Sequence, residues 1–259
     1  MSHWDDLDRE LDAWRGAGRL ATLWCRDDDA TRDTPALRAL LDLAQTHAVP
    51  VALAVIPAGL EEGLIAAVRA VSQVTVLQHG YAHRNHASAS ERSCELGAQR
   101  PVAQVLAELA SGRETLAHAF GSRFLPIVVP PWNRIHGDVV AALPRAGFTG
   151  LSTFAPRAAA HAAPGVVQCN THVDLVAWRS GRTFVGASRA IALAIEHLAA
   201  RREGRVDALE PTGILTHHLD LGDEAWAFIG ELFARTRANP AAAWLPAERA
   251  FAYHGDVVC

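Results

Sequence analysis

The sequence has no apolar stretch long enough to span a bilayer, no run of basic residues and no Cys-x-x-Cys pair. The first absence excludes a membrane-spanning helix, which needs about 20 consecutive apolar residues. The second, with a net charge of −4 and a pI near 6.3, argues against nucleic-acid or membrane-surface partners. Cysteines are few and scattered: Cys25, Cys94, Cys169 and Cys259 have no disulfide-like spacing. Four reduced thiols in a cytoplasmic protein are expected. The opening Met-Ser-His-Trp-Asp-Asp-Leu-Asp is acidic and has no apolar core, so it does not read as a secretory signal. No Gly/Ser linker, repeat or low-complexity stretch divides the chain.

What is present suits a large buried core: 50% of the 259 residues are hydrophobic and 20% charged. Length alone leaves one barrel or two small domains open. Short β-type runs occur at 20–25, 49–56, 74–77, 124–129, 150–154, 166–170 and 213–216. Several are almost continuously apolar, as strands covered on both faces are. Helix-like segments lie between them at 35–46, 59–72, 101–119, 138–146, 187–202 and 223–238. Thr34 before Pro35 reads as a cap followed by proline in the first turn. This alternation predicts parallel βα units in one α/β domain. Residues 155–163 read as a mobile loop. Residues 1–19 carry Trp4, Leu7, Leu11 and Trp14 at helical spacing and predict an amphipathic helix packed on a barrel spanning 20–259.

Polar residues favour a distorted, TIM-like (β/α)7 barrel over an open doubly wound sheet. Asp27–Asp29, His79, Trp132 with Asn133, His172 with Asp174, and His217 with His218 all fall at or just beyond strand C-terminal ends. Such barrels collect catalytic groups on that face.

Two constellations carry chemistry. Three adjacent carboxylates, Asp27, Asp28 and Asp29, repel one another and need a cation or strong donors at a buried strand end. His79 and His83, four residues apart, can converge on one ion, and His86 offers a rival all-histidine set. Two imidazoles and a carboxylate form a usual ligand set for a hydrolytic divalent metal, with a neighbouring carboxylate free to act as general base.

These motifs resemble, in order, the five motifs of the polysaccharide deacetylases of the NodB-homology type, carbohydrate esterase family four, over roughly residues 20–220. The family's Thr-Phe-Asp-Asp is similar to Arg26-Asp27-Asp28-Asp29-Ala30, in one of two registers. With Asp28 as base and Asp29 as ligand, Ala30 stands where the family has glycine; the alternative takes Asp27 and Asp28. His79-Gly80-Tyr81-Ala82-His83 resembles the metal-binding His-x-x-x-His. Val129-Pro130-Pro131-Trp132-Asn133 resembles the groove segment Arg-Pro-Pro-Tyr-Gly, with Val129 in place of the arginine and Arg134 nearby. Asp174-Leu175-Val176-Ala177-Trp178 resembles Asp-x-x-Asp-Trp, with Ala177 for the second aspartate. Leu215-Thr216-His217 resembles Leu-x-His, and His218 is the alternate acid.

The resemblance implies a hydrolase that removes an acyl group from an amide, an N-acetylated sugar above all. It implies a divalent metal, zinc, on Asp29, His79 and His83, with Asp28 as base and His217 as acid. A backbone N–H near Trp132 would help hold the oxyanion. Pro131, Trp132, Asn133, His172, Asp174 and Trp178 would line the place of a small-molecule or oligosaccharide substrate; His172 has no counterpart in the family pattern. Two other readings stand beside it: hydrolysis of small cyclic or linear amides on the same site, and a non-catalytic carbohydrate-binding protein that keeps the fold.

Overall fold

The computed structural model describes residues 3–252, so Cys259 lies outside it. In chain order the strands are β1 Ala21–Ala30, β2 Val51–Val55, β3 Val74–His79, β4 Phe124–Val129, β5 Gly150–Leu151, β6 His161–Ala163, β7 Val166–Gln168, β8 Val173–Asp174, β9 Val176–Ala177, β10 Thr183–Phe184, β11 Thr212–Thr216 and β12 Ala242–Trp244. The helices are α1 His3–Gly16, α2 Pro35–His47, α3 Glu62–Ala70, α4 Val102–Phe120, α5 Gly137–Ala142, α6 Ala187–Arg202, α7 Asp223–Ala238 and α8 Ala247–Ala250. One sheet runs β6-β7-β5-β4-β3-β2-β1-β11-β8, with β12 against the start of β1. Its pairings are parallel except β6 with β7, and β9–β10 form a separate small hairpin. Among the described residues the ladder does not close from β6 to β8. The curled, incompletely closed sheet is a distorted barrel in a single α/β domain.

Strand alternation sorts the core. Along β1, Leu23 and Cys25 join the helices in the main hydrophobic cluster. Trp24 belongs instead to a smaller cluster with Ala52, Ala54, Leu77, Ile127 and Val129. That second set is the barrel interior, and Arg26 and Asp28 continue the Trp24 side toward the strand end. On β3 the same parity carries Leu77 inward and places His79 after it. Which residues reach the site is therefore set by period 2.

Predicted helices α6 and α7 match to the residue. The Thr34 hydroxyl accepts from the Leu37 backbone N–H at 3.1 Å, with Pro35 opening α2, as the sequence indicates. The N-terminal segment is helical and buries Leu7, Leu11 and Trp14 in the main core, packing on α6. Arg201 of α6 lies 5.0 Å over the Trp14 ring. No helix among the described residues is long and apolar enough to cross a membrane. Cys25, Cys94 and Cys169 are free and buried.

Two expectations need correction. Residues 155–163 are not all loop, because His161–Ala163 pairs antiparallel with β7 and caps the sheet edge. The strand read over 150–154 shortens to Gly150–Leu151, although Phe154 makes an isolated bridge to Thr171. The short strands β8, β9, β10 and β12 escape periodicity because two or three residues hold no repeat.

One close contact fixes the site from outside. Gln78, fully buried, donates from Nε2 to the carbonyls of Gly80 at 2.9 Å and Leu109 at 3.0 Å, tying α4 to the loop after β3. A Cβ at Gly112 of α4 would lie 2.5 Å from Gln78 Nε2 and 2.8 Å from Pro57 Cγ. Gly112→Val should therefore destabilise the protein by about 1–3 kcal/mol through overpacking, read as a lower midpoint in urea. Wild-type stability in this variant would show that α4 is not fitted to β3 as described.

Candidate active site

The three consecutive carboxylates go to three different partners. Asp27, fully buried, lies on the Cys25 side of β1. It accepts from the Thr216 hydroxyl at 2.7 Å and from the His218 backbone N–H at 3.0 Å. Its other oxygen lies 2.6 Å from His218 Nδ1. Burial alone would lower the His218 pKa, but the Asp27 charge and hydrogen bond raise it. His218 is thus committed to Asp27 rather than to the cavity.

Asp28, on the inner face, pairs with Arg26, two residues before it. Arg26 Nη2 donates to Asp28 Oδ2 at 3.0 Å, and Nε lies 2.8 Å from Oδ1. The guanidinium is fully buried and also donates to Ser152 Oγ at 2.7 Å and Asn133 Oδ1 at 2.8 Å. The ladder between β1 and β2 shifts register between Asp27 and Ala30, and Asp29 has φ 71°. This bulge breaks the alternation, so Asp28 and Asp29, though adjacent, both face the cavity.

Asp29 Oδ1 lies 3.1 Å from His79 Nε2 and 3.3 Å from His83 Nε2. Val129 O can only accept, so His79 Nδ1 donates to it at 3.0 Å. That bond leaves the Nε2 lone pair of the neutral ring facing Asp29. Burial would raise the Asp29 carboxyl, but protonation of the neighbouring rings, His79 first by hydrogen bond and charge and then His217 and His83, would hold it well below the usual carboxylate range. Burial and His79 lower the His83 pKa. Asp29 Oδ1 is buried without a standard hydrogen bond, between two imidazole nitrogens. This donor set fits a divalent cation.

The loop between the two histidines is held on both sides. Buried Glu95 accepts from the backbone N–H groups of Tyr81 at 3.2 Å and Ala82 at 2.8 Å. Gly80 has φ 54°, and a Cβ there would lie 2.0 Å from Glu95 Oε2 and 2.7 Å from Pro131 Cδ. His83 itself has φ 53°, and Trp132 and Asn133 each have φ 55°. Left-handed non-glycine residues thus gather around this site. His86 joins neither potential metal group among the described residues.

A cavity of about 800 Å³ opens over these groups. His217 Nε2 lies 3.9 Å from Asp28 Oδ2, and the Trp178 ring meets the His217 ring edge-on at 4.7 Å. Trp178 Nε1 donates to Asp174 Oδ2 at 2.7 Å, while Asp174 Oδ1 accepts from the Val176 N–H at 2.9 Å. Burial raises the Asp174 carboxyl pKa. Trp132 stands 4.4 Å from the His83 ring. Asn133, Arg134, Phe154, Arg179 and Arg182 complete the wall.

The structure thus brings Asp28, Asp29, His79, His83, Trp132, Asn133, Asp174, Trp178 and His217 to one cavity. Two sequence candidates lie elsewhere. Pro131 is buried against Gly80 and supports the loop from behind. His172, only 6% exposed, is in a separate cluster with His197 and Glu210. Arg134 does not stand in for the arginine replaced by Val129, since it donates to Ser93 O at 2.8 Å; Arg26 contacts Asp28 instead. Sequence reading passed over Arg26, Glu95, Arg179 and Arg182. For Arg26 a cue was present, its i, i+2 parity with Asp28 on one strand.

The His172, His197 and Glu210 cluster also brings potential ligand atoms together, but its geometry opposes a shared ion. The His172 and His197 rings stack at 3.4 Å with an interplanar angle of 16°. Ring lone pairs lie in the ring planes, and two nearly parallel planes do not meet at bonding distance. Gly213 N–H donates to His172 Nδ1 at 2.9 Å, so Nε2 of the neutral ring carries the proton, toward Glu210 at 3.3 Å. Burial, then the charges of His172 and Arg201, pushes the His197 pKa down to about 2. This cluster is a buried polar brace.

Two outcomes follow. A neutral buried His197 loses stability as pH falls, because the unfolded chain takes up its proton below about 6.5 while the folded one resists. Between pH 6 and 4, His197→Phe should flatten the fall in unfolding free energy by up to about 1.4 kcal/mol per pH unit relative to wild type. Parallel slopes would contradict this. Arg26→Met should cost about 3 kcal/mol or more in urea unfolding, because it strands Asp28, and Arg26→Met/Asp28→Asn should recover part of that loss. Purely additive costs would mean that the pair is not coupled.

No protein-family model and no curated protein matches the chain. Solved structures do. A Mycobacterium smegmatis protein described as a polysaccharide deacetylase aligns at TM-score 0.66 and 17% identity, over 90% of this chain and 89% of that one. A family 4 acetyl xylan esterase from Clostridium thermocellum, in complex with a cobalt ion, aligns at TM-score 0.55 and 13% identity, over 89% and 90%. A family 4 pseudoenzyme from Bacillus anthracis aligns at TM-score 0.51 and 11% identity, over 83% and 60%. At these identities the likeness is one of architecture: over about nine tenths of its length, the chain has the fold of the carbohydrate esterase family four polysaccharide deacetylases.

Proposed function

We propose that the protein is a metal-dependent hydrolase that removes an acyl group, acetyl first among them, from the amide of an N-acylated sugar. The observation that carries this reading is the pairing of adjacent carboxylates in one cavity, Asp28 on Arg26 and Asp29 between His79 and His83. Asp29, His79 and His83 would hold a divalent ion, zinc in our reading. Bound there, such an ion supplies Lewis acidity toward the acyl oxygen and lowers the pKa of water.

The chain's own groups supply the rest. Asp28 accepts the proton of the attacking water, while Arg26, against both carboxylate oxygens, fixes the carboxylate plane. His217 faces the same space and donates a proton to the leaving nitrogen, without which an amine departs poorly. Trp178, pinned by Asp174, limits how far the His217 ring can turn. The backbone N–H near Trp132 stabilises the developing oxyanion. Trp132, Trp178 and Phe154 offer flat apolar walls to sugar faces.

Binding without turnover is the second reading, favoured by Ala177 at a motif aspartate position and by the pseudoenzyme of the same fold. Metal content and acetate release from N-acetylglucosamine oligomers, run beside ammonia release from cyclic amides, separate these possibilities. In our reading Asp28→Asn keeps stoichiometric metal and loses turnover by about 100-fold or more. His79→Ala loses both. Wild-type turnover in Asp28→Asn removes that residue from the base role; a metal-free protein that binds glycans points to the second reading.

A further inference from the structure

The cavity wall carries more positive charge than an N-acetyl group requires. Arg134, Arg179 and Arg182 reach it from two separate loops. Arg134 uses one terminal nitrogen on Ser93 O, a neutral acceptor that leaves its charge in place. Arg182 is ion-paired with Asp220 at 3.0 Å, which offsets its charge, and lies 5.3 Å over the Trp178 ring; the two contacts fix its plane and leave its remaining N–H donors for a ligand. Arg179 has no hydrogen bond or ion pair among the described residues.

The acids lining the same cavity are already engaged. Asp28 is held by Arg26, and Asp29 sits between two imidazoles. Asp174 takes the Trp178 indole and a backbone N–H. Arg134 and Arg179 therefore stand without an acid partner on the upper wall, beside aromatic faces. The volume, about 800 Å³, lies high in the range of about 300–1,000 Å³ usual for ligand pockets, so there is room beyond one sugar ring.

Planar guanidinium groups recognise phosphate through paired N–H donors. On the hydrolase reading above, we infer that the acyl-amide ligand carries a phosphate ester, as a sugar phosphate or a nucleotide-linked sugar does. The aromatic walls hold the sugar, and Arg179 with Arg182 takes the phosphate. The reacting amide is thereby oriented toward Asp28 and His217.

The test is binding, followed by isothermal titration of the full chain, metal-free and zinc-loaded, at low salt. The probes are N-acetylglucosamine, its 1-phosphate, its 6-phosphate and UDP-N-acetylglucosamine, whose ranking identifies the phosphate source. At least one phosphorylated probe should bind about tenfold or more tighter than the neutral sugar, with a preference that weakens as salt rises. In Arg179→Ala/Arg182→Ala the ratio of dissociation constants should fall below about threefold. Equal affinity for neutral and phosphorylated probes overturns the inference. So does a preference that survives the double substitution, which would place the phosphate at the metal-binding groups instead. Acetate release measured alongside keeps the two readings apart. Deacetylation of neutral oligomers with no phosphate preference leaves the hydrolase standing and ends this inference. Phosphate-dependent binding without acetate release sustains it and ends the hydrolase reading.

Discussion

Like-charge repulsion at the end of β1 is the constraint around which the site is built. Three carboxylates in a row at a buried strand end are intolerable unless each finds its own donor or cation. The fold supplies one from each direction. His218 and Thr216 come from β11 and the turn after it, Arg26 from the same strand, and His79 and His83 from the end of β3 and its loop. Each partner takes one acid, and the division assigns them separate tasks. Asp27 fastens β1 to the neighbouring strand, Asp28 is held in plane, and Asp29 stands among potential metal ligands.

Much of this was legible in the residues. The strands that form the barrel wall announce themselves as apolar runs, and the three longest sequence-predicted helices survive nearly unchanged because their patterns extend over several turns. Asp28, Asp29, His79, His83 and His217 stand out by residue type and position. In the sequence the register of the acidic triplet rests on Ala30 alone, because the bulge that turns Asp28 and Asp29 to one cavity shows only in cross-strand register. His217 is preferred to His218 in the sequence only by the Leu-x-His resemblance; that His218 faces Asp27 is a matter of the fold. Arg26 was hidden by its ordinary setting, one basic residue beside acids on a strand. His172 misled for the opposite reason: it follows a short strand near other motif residues, but its ring turns into the protein.

The two histidine clusters are similarly close-set but differ in proton placement, which decides whether a ring nitrogen can offer a lone pair. His79 donates from Nδ1 to a carbonyl, leaving a lone pair toward the carboxylate. His172 accepts at Nδ1 from an amide and must present a proton toward Glu210. A single backbone partner, carbonyl in one case and amide in the other, gives the same side chain opposite capacities.

The bulge in β1 makes the adjacency of Asp28 and Asp29 a matter of residue count as much as residue type. Homologous chains should therefore tolerate changes of side chain around this strand end far better than insertions or deletions within it. Losing one residue there would restore the regular pleat and send neighbouring acids to opposite faces, even if every amino acid of the motif were retained. An alignment gap in this segment would be a stronger mark of lost chemistry than any single replacement beside it.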